Sequence, residues 1–82
     1  MKKTTKWVPV ASGAISRIAY NSGAHELYVE FKGGSLYTYT KVAGYAVYRM
    51  LKADSAGEYF KRVIKTDDHP VFKGVPNEAK PE

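Results

Sequence analysis

The chain contains no cysteine, which excludes a disulfide scaffold and any thiolate metal site. It also lacks a long apolar run. Its longest uncharged stretch, residues 7–16, holds a proline, a glycine and two serines, so it is neither a membrane span nor the apolar part of a signal peptide. Acidic side chains are in the minority, with 8 Asp+Glu against 13 Lys+Arg, a formal net charge of +5 at pH 7 and a pI near 9.5. No internal repeat is visible. What remains is 82 residues, 44 % hydrophobic and 13 % aromatic, with seven tyrosines. That is enough apolar material for one small core and too much for a disordered chain. The composition predicts a single cytoplasmic domain, free of disulfides, that folds on packing alone.

Residues 1–6 hold three lysines and read as a flexible leader. Residues 74–82, with two prolines, a glycine and alternating charge, read as a disordered tail. The domain between them, residues 7–73, changes period once. Residues 15–20 alternate, with Ile18 and Tyr20 on one side and Arg17 and Ala19 on the other. They stop at the turn cluster Asn21-Ser22-Gly23-Ala24. Residues 26–32 form the clearest strand, Leu27, Val29 and Phe31 pointing opposite to Glu26, Tyr28, Glu30 and Lys32. Gly33-Gly34 tolerates the positive φ angles of a tight hairpin, and residues 35–40 alternate again.

From residue 45 to 53 the spacing turns helical, with Val47, Met50 and Leu51 inward and Arg49 and Lys52 between them. Ser55 and Glu58 spell a capping box that opens a second helix, with Phe60, Val63 and Ile64 as its apolar stripe. Pro70 ends it, and Val71 and Phe72 are expected to pack back on the core. The expected fold is α+β, a three-stranded antiparallel meander followed by two helices packed on one sheet face. Leu27, Val29, Phe31, Leu36, Val47, Leu51, Phe60 and Ile64 are its expected core.

Register decides what the tyrosines do. A two-residue Gly33-Gly34 loop pairs Phe31 with Leu36, Glu30 with Tyr37 and Tyr28 with Tyr39, which places Tyr28, Tyr37 and Tyr39 together on the face away from the helices. A three-residue loop inverts the strand and sends Tyr37 and Tyr39 to the core side. The two-residue loop is the expectation.

Catalytic signatures are missing. His25-Glu26 opens like a zincin motif, but there is no second histidine and the segment is a strand. His69 follows Asp67 and Asp68, two hard carboxylate ligands at a helix end, and the group reads as a solvated terminus. No serine sits in a nucleophile elbow, and no phosphate loop follows Gly33-Gly34. The chain is expected to be no enzyme and to need no cofactor or metal.

Charge and aromatics point to binding. Between residues 41 and 65, Lys41, Arg49, Lys52, Lys61, Arg62 and Lys65 face only Asp54 and Glu58, whereas from residue 66 onward the acids outnumber the lysines. A basic helical face attracts phosphates, although exposed helix faces are also charged for solubility alone. Tyr28, Tyr37 and Tyr39 on one open sheet face would stack unpaired bases, or equally cover a partner protein. The candidate nucleic-acid-binding set is therefore Tyr28, Tyr37, Tyr39, Arg17, Lys32, Lys61, Arg62 and Lys65. The partners considered are RNA, single-stranded or tRNA-like, and another protein. No membrane partner is expected, and the oligomeric state is open.

Several elements in order carry a resemblance. They are Ser12 and Ile15; Tyr20; Leu27, Val29 and Phe31; Gly34; Tyr37-Thr38-Tyr39; Val42; and Ala53-Asp54-Ser55-Ala56-Gly57-Glu58-Tyr59-Phe60 with Ile64. In these the chain resembles the KTSC domain family, found at the C-terminus of some lysyl-tRNA synthetases and as stand-alone bacterial and phage proteins. The resemblance implies a small binding module for which RNA has been suggested as ligand. Three positions depart from the pattern: Gly13 replaces a second serine, Ala43 a proline and Lys61 an asparagine. The missing proline is expected to loosen the start of the first helix.

Overall fold

Alternating apolar residues and short polar turns build a five-stranded antiparallel sheet in chain order, so each strand pairs with its sequence neighbours. The computed structural model describes residues 6–10, 12–66 and 68–80. The strands are β1 (Trp7–Pro9), β2 (Ile15–Asn21), β3 (Glu26–Phe31), β4 (Leu36–Tyr39) and β5 (Val71–Lys73). Between β4 and β5 come helix α1 (Gly44–Lys52) and helix α2 (Ala56–Tyr59). The latter runs on into a π-helical turn, Phe60–Ile64. A 3-10 turn, Asn77–Ala79, follows β5. The fold is α+β with helices on one face, as expected, but the meander has gained a strand at each edge. Both added strands have only three residues, too few for alternation to register in the sequence. Among the described residues no helix is long and apolar enough to cross a membrane.

A bulge in β2 aligns the core. Ile15 pairs with Phe31 and Arg17 with Glu30, which leaves Ser16 as an extra residue. Ile15 and Ile18, three apart, therefore both face the helices and are buried. They join Leu27, Val29, Tyr39, Val42, Ala46, Val47, Met50, Ala56, Phe60 and Ile64 in one cluster.

The hairpin between β3 and β4 overturns the expected register. Val29 pairs with Tyr37 and Leu27 with Tyr39. The loop is three residues, Lys32 to Gly34, closed by Phe31 N–H donating to the Ser35 carbonyl (2.9 Å) and Gly34 N–H to the Phe31 carbonyl (2.9 Å). Both glycines have positive φ, 104° and 100°. The physical reason is apolar area. This register turns two tyrosine rings onto the helix-facing side, where the two-residue loop would have put Leu36 and Thr38, and aromatic rings bury more surface than either. Leu36, expected in the core, is half-buried on the other side, and Phe31 packs half-buried at the core edge. Leu51 is a second correction. The inward stripe of α1 is Ala46, Val47 and Met50, and Leu51 lies at its flank, 44 % exposed.

The second face of the sheet is also covered. Tyr28 is 1 % exposed in a small cluster with Ala19 and Ala79, flanked by Trp7 and Val75. The Trp7 indole N–H donates to the Ala79 carbonyl at 2.7 Å, which ties β1 to the far end of the chain. Thr38 Oγ1 donates to the Gly74 carbonyl at 2.7 Å. Residues 74–80, expected as tail, are thus docked over the sheet. Of the expected leader, residues 1–5 lie outside the described residues, as do residues 81 and 82 of the tail.

Ser55 caps α2 as its sequence predicts, its hydroxyl accepting from the Glu58 N–H at 3.3 Å. The Glu58 carboxylate turns instead to Lys61, 3.8 Å away. Ala43 holds φ −73° and ψ 151°, the backbone a proline would impose, so α1 starts in that geometry without the ring.

Candidate nucleic-acid interface

On α1 the residues opposite the buried stripe are Tyr45, Tyr48, Arg49 and Lys52, at spacings that place all four on one helical face. Tyr45 is 67 % and Tyr48 62 % exposed. The Arg49 guanidinium lies over the Tyr45 ring, 5.4 Å from its centroid, and the Lys52 ammonium over the Tyr48 ring at 5.5 Å. These are two cation–π pairs one helical turn apart in register, each four residues long in sequence. No acidic residue occurs in α1. The two cations stand in its last turn, where they also complement the helix dipole. Flat rings and positive charge on a water-exposed face can stack bases and meet phosphates.

The eight residues picked out from the sequence do not form one surface. Tyr37 and Tyr39 lie on the helix side. Tyr39, 5 % exposed, sets its ring edge-on to Phe60 at 5.0 Å, and Tyr37 meets Phe31 in the same way at 5.6 Å. Burial raises the Tyr39 phenol above the ordinary value of 10.0, and the neighbouring Tyr37 raises it further. Tyr28 is on the opposite side beneath Trp7, its ring 6.5 Å from the indole. The open tyrosine platform is therefore corrected: register turns two rings inward, and β1 with the C-terminal segment covers the third. Arg17 is ion-paired to Glu30 and lies over Trp7 at 5.8 Å, so it holds structure together. Lys32 is exposed in the hairpin loop. Lys61 and Arg62 are exposed on the π-helical turn and Lys65 just after it, and Lys61 is lightly paired with Glu58. Only these four retain the exposure that phosphate contact needs.

Tyr45 and Tyr48 were the aromatics missed. Their signal was legible, since Tyr45, Tyr48, Arg49 and Lys52 repeat at i, i+3, i+4 and i+7 against the buried Ala46, Val47 and Met50. Among the described residues neither histidine meets a ligand set. His25 adopts φ 55°, and its carbonyl accepts from the Val42 N–H at 2.9 Å. His69 Nδ1 lies 3.3 Å from the Thr40 carbonyl, and Asp67 falls outside the described residues. Among the described residues no three His, Cys, Asp or Glu side chains converge as a metal group would.

A family model for the KTSC domain matches residues 11–67. The chain belongs to the KTSC domain family. The crystal structure of a KTSC domain protein from Yersinia pestis is similar, with a TM-score of 0.78 and 29 % identity, covering 88 % of this chain and 100 % of that one. A protein of Stutzerimonas stutzeri (strain A1501), described as uncharacterized, is 37 % identical over 68 residues, 83 % of this chain and 96 % of its own length. Within the matched KTSC span, Tyr39 directly, and Tyr37 by way of Phe31, seat Phe60 and so the π-helical turn on the sheet. Gly57 also has a structural role. A Cβ there would stand 2.7 Å from Ser12 Oγ, so only glycine lets α2 approach the start of β2 so closely.

Proposed function

We propose that this KTSC domain is a non-enzymatic module that binds single-stranded RNA on the outer face of α1. One observation carries the reading: two exposed tyrosines, each paired with a cation, stand side by side on a helix without acids. Bases stack on Tyr45 and Tyr48 while phosphates run along Arg49 and Lys52, and the basic π-helical turn adds long-range attraction. Oligouridine binding followed by fluorescence anisotropy tests it. Affinity should fall steeply with added salt, and Tyr45→Leu with Tyr48→Leu should weaken it while the fold persists.

A second reading rests on Leu51. This exposed aliphatic lines a notch of about 140 Å³ with Pro9, Val10, Ala56 and the acidic Asp54, a mixed surface open to a protein partner. Binding to that partner would respond little to salt, so the same titration separates the two.

A further inference from the structure

A second concavity lies away from α1, between the start of β2, the β3–β4 hairpin and the π-helical turn. It measures about 360 Å³, within the range of small-ligand sites. Its floor is Ile15, Phe31 and Phe60, and because Ile15 and Phe60 are nearly fully buried, the half-buried Phe31 supplies most of the open ring surface. Ser12, Ser55, Lys61 and Lys65 stand at its walls and mouth.

The polar groups are set by the fold. Ser12 Oγ accepts from the Ala14 and Ile15 N–H groups, at 3.2 and 3.1 Å, and Ser55 Oγ accepts from the Glu58 N–H. Each hydroxyl keeps its proton to donate to an acceptor in the slot. The π-helical turn, closed by the Lys65 N–H on the Phe60 carbonyl at 2.8 Å, holds Lys61 and Lys65 on one side, and such turns recur at functional sites. Glu58 answers one lysine, so the mouth keeps a positive excess. A bare anion would leave the aromatic floor unused, and an apolar ligand would leave the lysines unused.

We infer that this slot binds a single nucleotide, its base against Phe31 and its phosphate between Lys61 and Lys65, with the Ser12 and Ser55 hydroxyls donating to acceptor atoms of the base or sugar. The nucleotide is either a free nucleoside monophosphate or the phosphorylated end of a strand. The second source rests on the nucleic-acid reading above, whereas the first does not.

The experiment is a titration of the isotope-labelled full chain, followed by its backbone amide NMR signals, with adenosine monophosphate, adenosine and inorganic phosphate in turn. The monophosphate should move the amides of Ser12, Ile15, Gly57 and Lys65 saturably. Adenosine and phosphate should each bind about tenfold more weakly, and Lys61→Gln with Lys65→Gln should weaken the monophosphate about tenfold while the other signals stay in place. Oligouridines with and without a 5′-phosphate distinguish the sources: a gain from the phosphate, seen at the same amides, assigns a strand end. Absence of slot shifts, equal response to phosphate alone, or response to an acidic peptide but not the monophosphate would overturn the inference. If the slot stays silent while Tyr45 and Tyr48 variants lose RNA affinity, the slot alone fails. If the monophosphate binds there and no oligonucleotide binds anywhere, the slot stands and the RNA reading fails.

Discussion

Tyr37 and Tyr39 on β4 and Tyr45 and Tyr48 on α1 are close neighbours in the chain with opposite surroundings. The β4 pair is turned into the core, edge-on to Phe31 and Phe60, while the α1 pair stands in water under two cations. Residue type does not distinguish them. What separates them is geometry, since on β4 one residue of loop length decides the face and on α1 the spacing from Met50 decides it. The most recognisable aromatic motif of the chain is thus a packing device, and the less conspicuous pair is the one available to a ligand.

The sharpest way to break this comparison is to truncate one ring from each pair. Tyr39→Ala removes a buried ring that touches Phe60 and should destabilise the domain by about 3–5 kcal/mol, as should Phe60→Ala. Tyr48→Ala should stay within about 0.5 kcal/mol of wild type. Urea unfolding followed by tryptophan fluorescence measures both through Trp7. Equal losses would mean that the two pairs share one environment.

Binding should show the reverse order. Tyr45→Leu and Tyr48→Leu should each weaken oligouridine by about 1–3 kcal/mol, because leucine offers no π face, with the melting temperature nearly unchanged. If the loss follows melting temperature across a variant series, the outer rings act through folding and the α1 face is not a binding surface.

How much of this was readable from sequence follows from the same geometry. The strands β2, β3 and β4, both helices and the Ser55 cap each rest on local signals, namely alternation, helical spacing and a capping pair, and each is present. The register of β4 depends on a competition between two loop lengths, and Gly33-Gly34 suits either. Tertiary burial settled it by bringing in Tyr37 and Tyr39 rather than Leu36 and Thr38. β1, β5 and the docked residues 74–80 depend on contacts across the whole chain, such as Trp7 to Ala79, that no local window contains. The candidate site divides in the same manner. Lys61, Arg62 and Lys65 were legible as a solvent-facing helical stripe, whereas Tyr28 could not be placed without knowing that Trp7 lies over it.

Gly57 tests whether the inner pair depends on how closely α2 sits. Gly57→Ala brings a methyl group to within 2.7 Å of Ser12 Oγ and should destabilise by about 1–3 kcal/mol as helix or serine gives way. Removing the hydroxyl with Ser12→Ala leaves only a Cβ contact at 3.6 Å, so the glycine substitution should be milder in that background. Additive effects in the double-mutant cycle would show that the two residues do not touch.

The smallest expected effect concerns the phenol protons. Burial raises Tyr39 and also Tyr20, whose hydroxyl donates to the Val42 carbonyl at 2.5 Å, above the ordinary value of 10.0. The native state therefore keeps protons that the unfolded chain releases once the pH passes about 10. Because the unfolded state then binds fewer protons, stability is full below that pH and declines as pH rises through the raised native values. Tyr39→Phe keeps the ring against Phe60 and removes one of these protons. Its stability at neutral pH should lie within about 1.5 kcal/mol of wild type, the scale of one hydrogen bond, and its alkaline decline should be shallower. Tyr20→Phe should also flatten the decline, but it loses the bond to Val42 and begins from a lower neutral-pH value. Unfolding midpoints in urea from pH 8 to 11 would read both slopes. A Tyr39→Phe slope identical to wild type would place that hydroxyl in water and return Tyr39 to the exposed class with Tyr45 and Tyr48.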